Sequence, residues 1–300
     1  MQLQKTHNSN IQDEQTRTIK QFLFVPILLV VLFTIIPFLL MVYYSFTDWD
    51  GFSTSYNFIG LENYKMLFTK DNIEPILVTS YYLFSSFFQL LFGIYLAVYV
   101  FFQKRFKAIT ISILLLPVLL NTVAIGLMFR MFFMPGGTFD ITLDALHIIP
   151  YISDETSIKW LGNADIVNWT LAFISFWRYT SYTFILVYGA LLSIDPNLLK
   201  AAHQVGANKY YIARYILIPN IKVSMSIVIT TLVIGALSTV ELPMIMTSGA
   251  LSTKTVVMRI QEVAFSMRNF GLASSLSLFV IFLIAIIIGV RFMIGGDDAK

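Results

Sequence analysis

Cysteine is absent from the chain, which excludes disulfide staples and thiolate metal sites and leaves the redox compartment open. Charge is scarce: Asp, Glu, Lys and Arg make up 12% of the 300 residues, against 57% hydrophobic. A soluble domain of this length cannot solvate so much apolar surface with so few charges, so an integral membrane protein is the expected class. Histidine is nearly as rare. His7, His147 and His203 lie in separate segments, and no pair stands at metal-ligand spacing. No GxxxxGK(S/T) phosphate loop and no serine or cysteine nucleophile motif occurs, so the chain has neither an ATPase site of its own nor an enzyme's constellation. A net charge of +3 gives no reason to expect nucleic acid as a partner. In a membrane protein the question is which loops hold the positive residues.

What is abundant is apolar sequence in long runs. Residues 1–21 are polar, mixed in charge and without a hydrophobic period, and read as a tail. The run 22–46 exceeds the ~7–15 residues of a signal-peptide core and has no Ala-x-Ala-like site after it, so it is expected to be the first span. Five more runs meet the ~20-residue criterion: 75–102, 109–133, 166–191, 223–246 and 270–294. The spacing therefore predicts an all-α integral membrane protein of six transmembrane helices over 22–294, with a short tail at 295–300. Six spans put both termini on one side. Lys104, Arg105 and Lys107, then Lys200, Lys209, Arg214 and Lys222, then Arg291 and Lys300, fall with the termini. The opposite loops hold Lys65, Lys70, Lys159, Lys254, Arg259 and Arg268, offset by Asp48, Asp50, Glu62, Asp71, Glu74, Asp140, Asp144, Asp154, Glu155, Asp165 and Glu262. The positive-inside rule makes both termini cytoplasmic, N-in and C-in, together with a loop at 192–222. The last outer loop, itself basic, is the weakest vote.

That cytoplasmic loop is patterned. Asp195 is a natural N-cap and Pro196 suits the first helical position. A short helix through Leu198, Leu199, Lys200, Ala201 and Ala202 can follow, with Gly206 and Ala207 as its stop. A second helical stretch then carries Tyr210, Tyr211, Ala213 and Tyr215 towards Pro219. Such a helix–glycine–helix elbow can rest on lipid headgroups or receive another protein. Its small residues favour protein, because a lipid-binding helix sets a Lys/Arg-rich face against bulky side chains. The aromatic outer loop around Trp49, Tyr56, Phe58 and Tyr64, and the one from Pro135 to Gly162, either anchor helix ends or cap the outside for a partner.

Polar side chains at membrane depth are costly and tend to face a cavity or another helix. Gln89 lies in the second span. Asn121 and Thr122 lie in the third, just after Pro117. Helical spacing puts Ser175, Arg178, Tyr179 and Tyr182 on one face of the fourth, which also holds Trp177. The fifth carries Thr230, Thr231, Ser238, Thr239 and Glu241, with Gly235 and Pro243 to loosen its backbone. As a set, Tyr179, Tyr182, Ser238 and Thr239 fit a cavity for a polyhydroxylated ligand, with rings packing on sugar faces and polar groups bonding hydroxyls.

Lys200-Ala201-Ala202, Gly206-Ala207 and Leu217-Ile218-Pro219 resemble the "EAA" loop of the membrane subunits of binding-protein-dependent ABC importers. The chain is also similar to the carbohydrate-uptake branch of that family. The matching residues are Phe58-Ile59-Gly60-Leu61-Glu62-Asn63-Tyr64, Leu116-Pro117, Trp160-Leu161, Trp177, Ile194, Pro196, Ala264-Phe265 and Phe270-Gly271. Two positions depart: Lys200 stands where the family has Glu, and Val205 where it has Asp. The resemblance implies a type I importer permease. Its partners would be a second homologous permease, two cytoplasmic ATPase subunits that bind ATP and Mg, an extracytoplasmic sugar-binding protein and membrane lipid, with no cofactor on this chain. It implies that Ala201, Ala202 and Gly206 seat in the ATPase. It places sugar-site positions at Thr122, Arg178, Tyr179, Tyr182, Gly235 and Ala236, with Arg178 either binding an acidic sugar or pairing with Glu241. A di- or oligosaccharide, such as an α-galactoside, is the implied cargo. The alternative is a channel or ion-coupled secondary transporter acting without an ATPase, for which Arg178, Glu241 and Arg130 are sparse material.

Overall fold

The structure, a computed structural model, describes residues 22–148 and 158–295. The expected tail at 1–21, the tail beyond Gly295 with Lys300, the side chain of Arg291, and Asp154 and Glu155 lie outside the described residues. Among the described residues the regular structure is helical, apart from one isolated bridge between Thr47 and Phe58. Four helical stretches are long and apolar enough to cross a membrane: Phe22–Tyr44 (α1), Lys70–Phe102 (α3, after a short α2 at Glu62–Met66), Lys222–Thr247 and Phe270–Val290. Two bent pairs bring the number to as many as six. One is Lys107–Leu119 (α4) with Thr122–Phe132 (α5), bent by 96°; the other is Val167–Leu192 (α7) with Pro196–Gln204 (α8), bent by 75°. Between α5 and α7 lies α6, Thr138–Ala145. With its 26 residues, α7 alone is roughly 39 Å long, enough for a ~30 Å hydrocarbon core without α8.

Two spans expected to be continuous are broken. The third stops at Leu120–Asn121, where both residues adopt extended backbone and Asn121 caps α5 by accepting the Val123 N–H at 2.8 Å. An Asn that offers the backbone a partner outside the helical ladder ends the helix there. After α8 the chain forms α9 (Lys209–Ile212) and then α10 (Lys222–Leu237). The fifth span leaves α10 at Ser238–Val240 and restarts as α11 (Glu241–Thr247). The last elements are α12 (Val256–Gln261) and α13 (Phe270–Gly295). Prolines also shape the helices. π-Turns at Val31–Ile35 and Ala213–Leu217 lie just ahead of Pro37 and Pro219. There the wider turn relieves the clash between the proline ring and the carbonyl four residues back.

The chain divides into two compact units. The first comprises the residues up to Met66 with Val263–Leu278. In it the buried Asn63 donates to the carbonyls of Ser45 (2.9 Å) and Thr47 (2.8 Å). A Cβ on Gly271 would collide with the same Thr47 carbonyl, so only glycine permits that approach. Trp49 stacks on Tyr44 at 4.0 Å and meets Phe270 at 5.6 Å between ring centroids. The adjoining turn is held by Asp50, whose carboxylate accepts from Ser53 and Phe52, lowering its pKa to about 2.

In the second unit, Leu67–Glu262 with the chain from Phe279, α3 packs along α7 more extensively than any other pair. A Cβ on Gly93 would stand 2.5 Å from Thr183 Cγ2, so glycine sets that separation. Ser85 Oγ donates to the Ala172 carbonyl at 2.9 Å, and Gln89 Nε2 donates to Ser85 Oγ at 3.1 Å. Small residues and polar side chains are what join helices in lipid. In the segment around α12 two cations share one carboxylate. Lys254 Nζ donates to both Glu262 oxygens at 2.8 Å, and Arg259 bonds Glu262 and the buried Asn72 Oδ1, each at 2.8 Å. Thr79 Oγ1 accepts the Val256 N–H at 3.0 Å, fixing α12 to α3.

Two outcomes follow from this packing. Gly93→Ala forces overpacking between α3 and α7 and is expected to cost about 1–3 kcal/mol, read as a lower melting temperature of the purified protein. Glu262, held below its ordinary value of 4.5 first by the Lys254 hydrogen bonds, contributes stability that is present above that value and is lost as pH falls through the lowered one. Amide protection factors over residues 254–262, corrected for the intrinsic exchange rate at each pH, are therefore expected to fall on acidification, and in Glu262→Gln to be low already at neutral pH. Protection factors independent of both changes would contradict the role given to this carboxylate.

Candidate coupling elbow and translocation cavity

Asp195 Oδ1 accepts the Asn197 N–H at 2.9 Å and Pro196 opens α8. At the other end Gly206 has φ +77°, its N–H reaches the His203 carbonyl at 3.1 Å, and the Ala207 N–H reaches Ala202 at 3.0 Å. This is the paired 5→2 and 6→1 closure of a Schellman stop, which needs a residue at positive φ. Asn208 then caps α9 by accepting the Tyr211 N–H at 3.0 Å. The expected helix–glycine–helix elbow is therefore present, with Pro219 in the short helical turn Ile218–Asn220 that leads to α10.

The two alanines of the elbow differ. Ala202 is buried among Leu191, Ile212 and Leu217, in a core that includes Ala97 and Val100 of α3, Val187 of α7 and Val228 of α10. Ala201 faces outward with Lys200, His203 and Val205, the last 83% exposed. Leu199 and Ala207 are half-buried against the core. Ala202 thus binds the elbow to the spans, while Ala201, Lys200 and Val205 form its free surface.

A cavity of about 170 Å³ lies between α3, α7 and α10. Ser175, Tyr179 and Tyr182 line it from α7, and Thr231, Gly235, Ala236 and Thr239 from α10 and the break after it. Gln89 and Tyr82 of α3 close it. Tyr82 escaped the sequence reading, although its i, i+7 relation to Gln89 puts both on one helical face. The Tyr82 hydroxyl is buried without a hydrogen-bond partner among the described residues.

Other expected pathway residues lie elsewhere. Trp177 packs edge-on against Phe129 of α5 at 5.2 Å, within a core that holds Ile125 and Ile174. Arg178 lies over the Tyr179 ring at 5.3 Å, and Ser238 is exposed; neither lines the cavity. The Arg178–Glu241 pair is not formed. Glu241 Oε2 instead accepts from Thr122 Oγ1 at 2.6 Å, because the helix breaks bring the starts of α5 and α11 together. Asn121 serves as the α5 cap. Among the described residues no cluster of His, Asp or Glu can hold a metal ion.

A family model described as the binding-protein-dependent transport system inner membrane component matches residues 89–294, more than half of the chain. The chain belongs to this family. It is similar to the osmoprotective compounds uptake permease GgtC of Synechocystis sp., with 29% identity over 263 residues covering 84% of this chain and 89% of that protein. It is also similar to the multiple sugar-binding transport system permease MsmF of Streptococcus mutans, with 24% identity over 275 residues covering 89% and 91%. A solved bacterial alginate ABC transporter, in complex with an alginate pentasaccharide-bound periplasmic protein, matches the fold with TM-score 0.77 at 16% identity and 92% coverage of each chain. The chain is thus a multi-pass inner-membrane importer component of the permease type and not the ATPase. A channel or carrier acting alone is not favoured.

In this permease the elbow's stop depends on Gly206. Gly206→Ala places a Cβ in the left-handed region and is expected to cost about 1–2 kcal/mol, while Gly206→Asn costs less. The order of their melting temperatures checks this.

Proposed function

We propose that the chain is one of two related permeases in an ATP-driven importer of a di- or oligosaccharide, with both termini and the elbow (192–222) in the cytoplasm. Two ATPase subunits holding ATP and Mg bind the elbows, and an extracytoplasmic binding protein delivers the sugar. One observation carries the reading. The elbow core and the cavity are built from the same three helices, α3, α7 and α10. The elbow directly follows α7 and directly precedes α10. Closure of the ATPase pair that pulls on Ala201 and Lys200 therefore moves Ala202 and its core, and with them the walls holding Tyr179, Tyr182 and Thr239. ATP-driven closure opens the cavity outward to accept sugar, and hydrolysis resets it inward.

The cavity's size supports a shared pathway. At about 170 Å³ it compares with the ~150 Å³ cavity that admits one benzene ring, so this chain holds one ring and a second permease holds the rest. α1 supports the same partner, since none of its apolar span is buried within the chain. The names of the sugar and osmoprotectant relatives support a polyhydroxylated cargo. Lys200 and Val205 make the docking surface cationic and apolar, and call for an ATPase groove that is acidic or neutral.

The test contrasts the two alanines. Ala201→Leu changes stability by no more than the ~0.5 kcal/mol of a surface substitution, leaving the melting temperature nearly unmoved, but loses the co-purifying ATPase and ATP-dependent uptake in proteoliposomes. Ala202→Leu overpacks the elbow core and lowers the melting temperature. Uptake driven by an ion gradient, with no ATPase ever retained, would refute the importer reading.

A further inference from the structure

A groove of about 570 Å³ lies apart from the cavity, between the last turns of α3 and the elbow helix α9. Its wall along α3 is aromatic. Tyr95 and Tyr99 stand one turn apart, 61% and 55% exposed, with rings stacked at an interplanar angle of 22°. Leu91 and Phe92 extend that exposed face along the span. Two cations, Lys104 and Lys209, line the groove. Neither makes an ion pair or side-chain hydrogen bond among the described residues.

Gln103 lies beside them in the same groove. Its amide nitrogen donates to the Arg105 carbonyl and to Thr110 Oγ1, both at 2.9 Å, so both N–H groups are used. Its Oε1 is buried and accepts nothing. A buried acceptor left empty is costly, and two unpaired lysines beside it call for an anion that also carries a donor.

We propose that this groove binds the headgroup of an anionic phospholipid with a hydroxylated headgroup, of the phosphatidylglycerol class. The phosphate sits with Lys104 and Lys209, and a glycerol hydroxyl donates to Gln103 Oε1. The acyl chains run along Tyr95 and Tyr99. Depth agrees, because Lys104 is two residues past the end of α3 at Phe102, where a span gives way to the headgroup layer and basic pockets between helices hold such lipids. Tyrosines belong at that level, with an apolar ring and a polar tip. A free phosphate ion would use the lysines but leave the aromatic wall unused.

The full-length protein, with whatever subunits co-purify, is placed in nanodiscs of phosphatidylcholine alone or with phosphatidylglycerol or phosphatidic acid added. Retained lipid is measured by mass spectrometry after detergent washing. The wild type is expected to retain phosphatidylglycerol over phosphatidylcholine. The exposed pair Lys104→Gln and Lys209→Gln should lose that preference by roughly fivefold per lysine, and Gln103→Leu should lose phosphatidylglycerol but keep phosphatidic acid, which has no headgroup hydroxyl. The charge-retaining Lys104→Arg/Lys209→Arg protein, which guards against misfolding, should keep the preference. Equal phosphatidylglycerol retention by wild type and the glutamine variant overturns the proposal. So does displacement of the lipid by inorganic phosphate, which marks a free-anion site, or cross-linking of Tyr99→Cys to another subunit, which marks a protein-covered groove.

Discussion

The close approach of α3 to α7, set where Gly93 faces Thr183, positions the rest of the membrane unit. Towards one end of this contact Ser85 and Gln89 reach across to α7, and the cavity opens between the same helices and α10. Towards the other, Ala97 and Val100 pack against Val187 and Leu191 and receive the elbow through Ala202. In lipid no hydrophobic force drives helices together, so a glycine that lets backbones approach and hydroxyls that bond across the contact carry the association. The same helix contact serves both the core that receives the elbow and the walls of the cavity.

The breaks in the third and fifth spans are the second organising feature. A membrane helix that stops must still satisfy its backbone. Asn121 does this for α5, and Thr122 joins Glu241 where α5 and α11 begin. The carboxylate stands in the first turn of α11, where the positive end of the helix dipole favours it. Glu241, an obvious partner for Arg178 when only composition is considered, is thereby committed elsewhere. Arg178 instead spreads its guanidinium over Tyr179, an arrangement that needs no carboxylate.

Local rules read the elbow well, because its determinants are local. An Asx cap, a proline at the first helical position and a glycine at positive φ act within a few residues, and each is found in the expected place. Long apolar runs likewise marked the spans. The cavity was half legible. Tyr179, Tyr182, Gly235, Ala236 and Thr239 line it, but Trp177 turned into the α5 core and Ser238 and Arg178 lie outside. Which polar residue of a helix meets a cavity depends on how its neighbours rotate and bend, and Tyr82 shows the cost of ignoring the facing helix.

From the sequence by itself come membrane class, the approximate spans, the elbow and its caps, since hydropathy and turn chemistry depend on nearest neighbours along the chain. Only the tertiary structure decided that the third and fifth spans are broken. It also decided that Ala202 faces inward and Ala201 outward, that Arg259 reaches Asn72 of α3, and that Glu241 belongs to Thr122. The Ala202 core, the Asn72–Arg259 bond and the Thr122–Glu241 bond join residues far apart in sequence, across distances that periodicity does not encode.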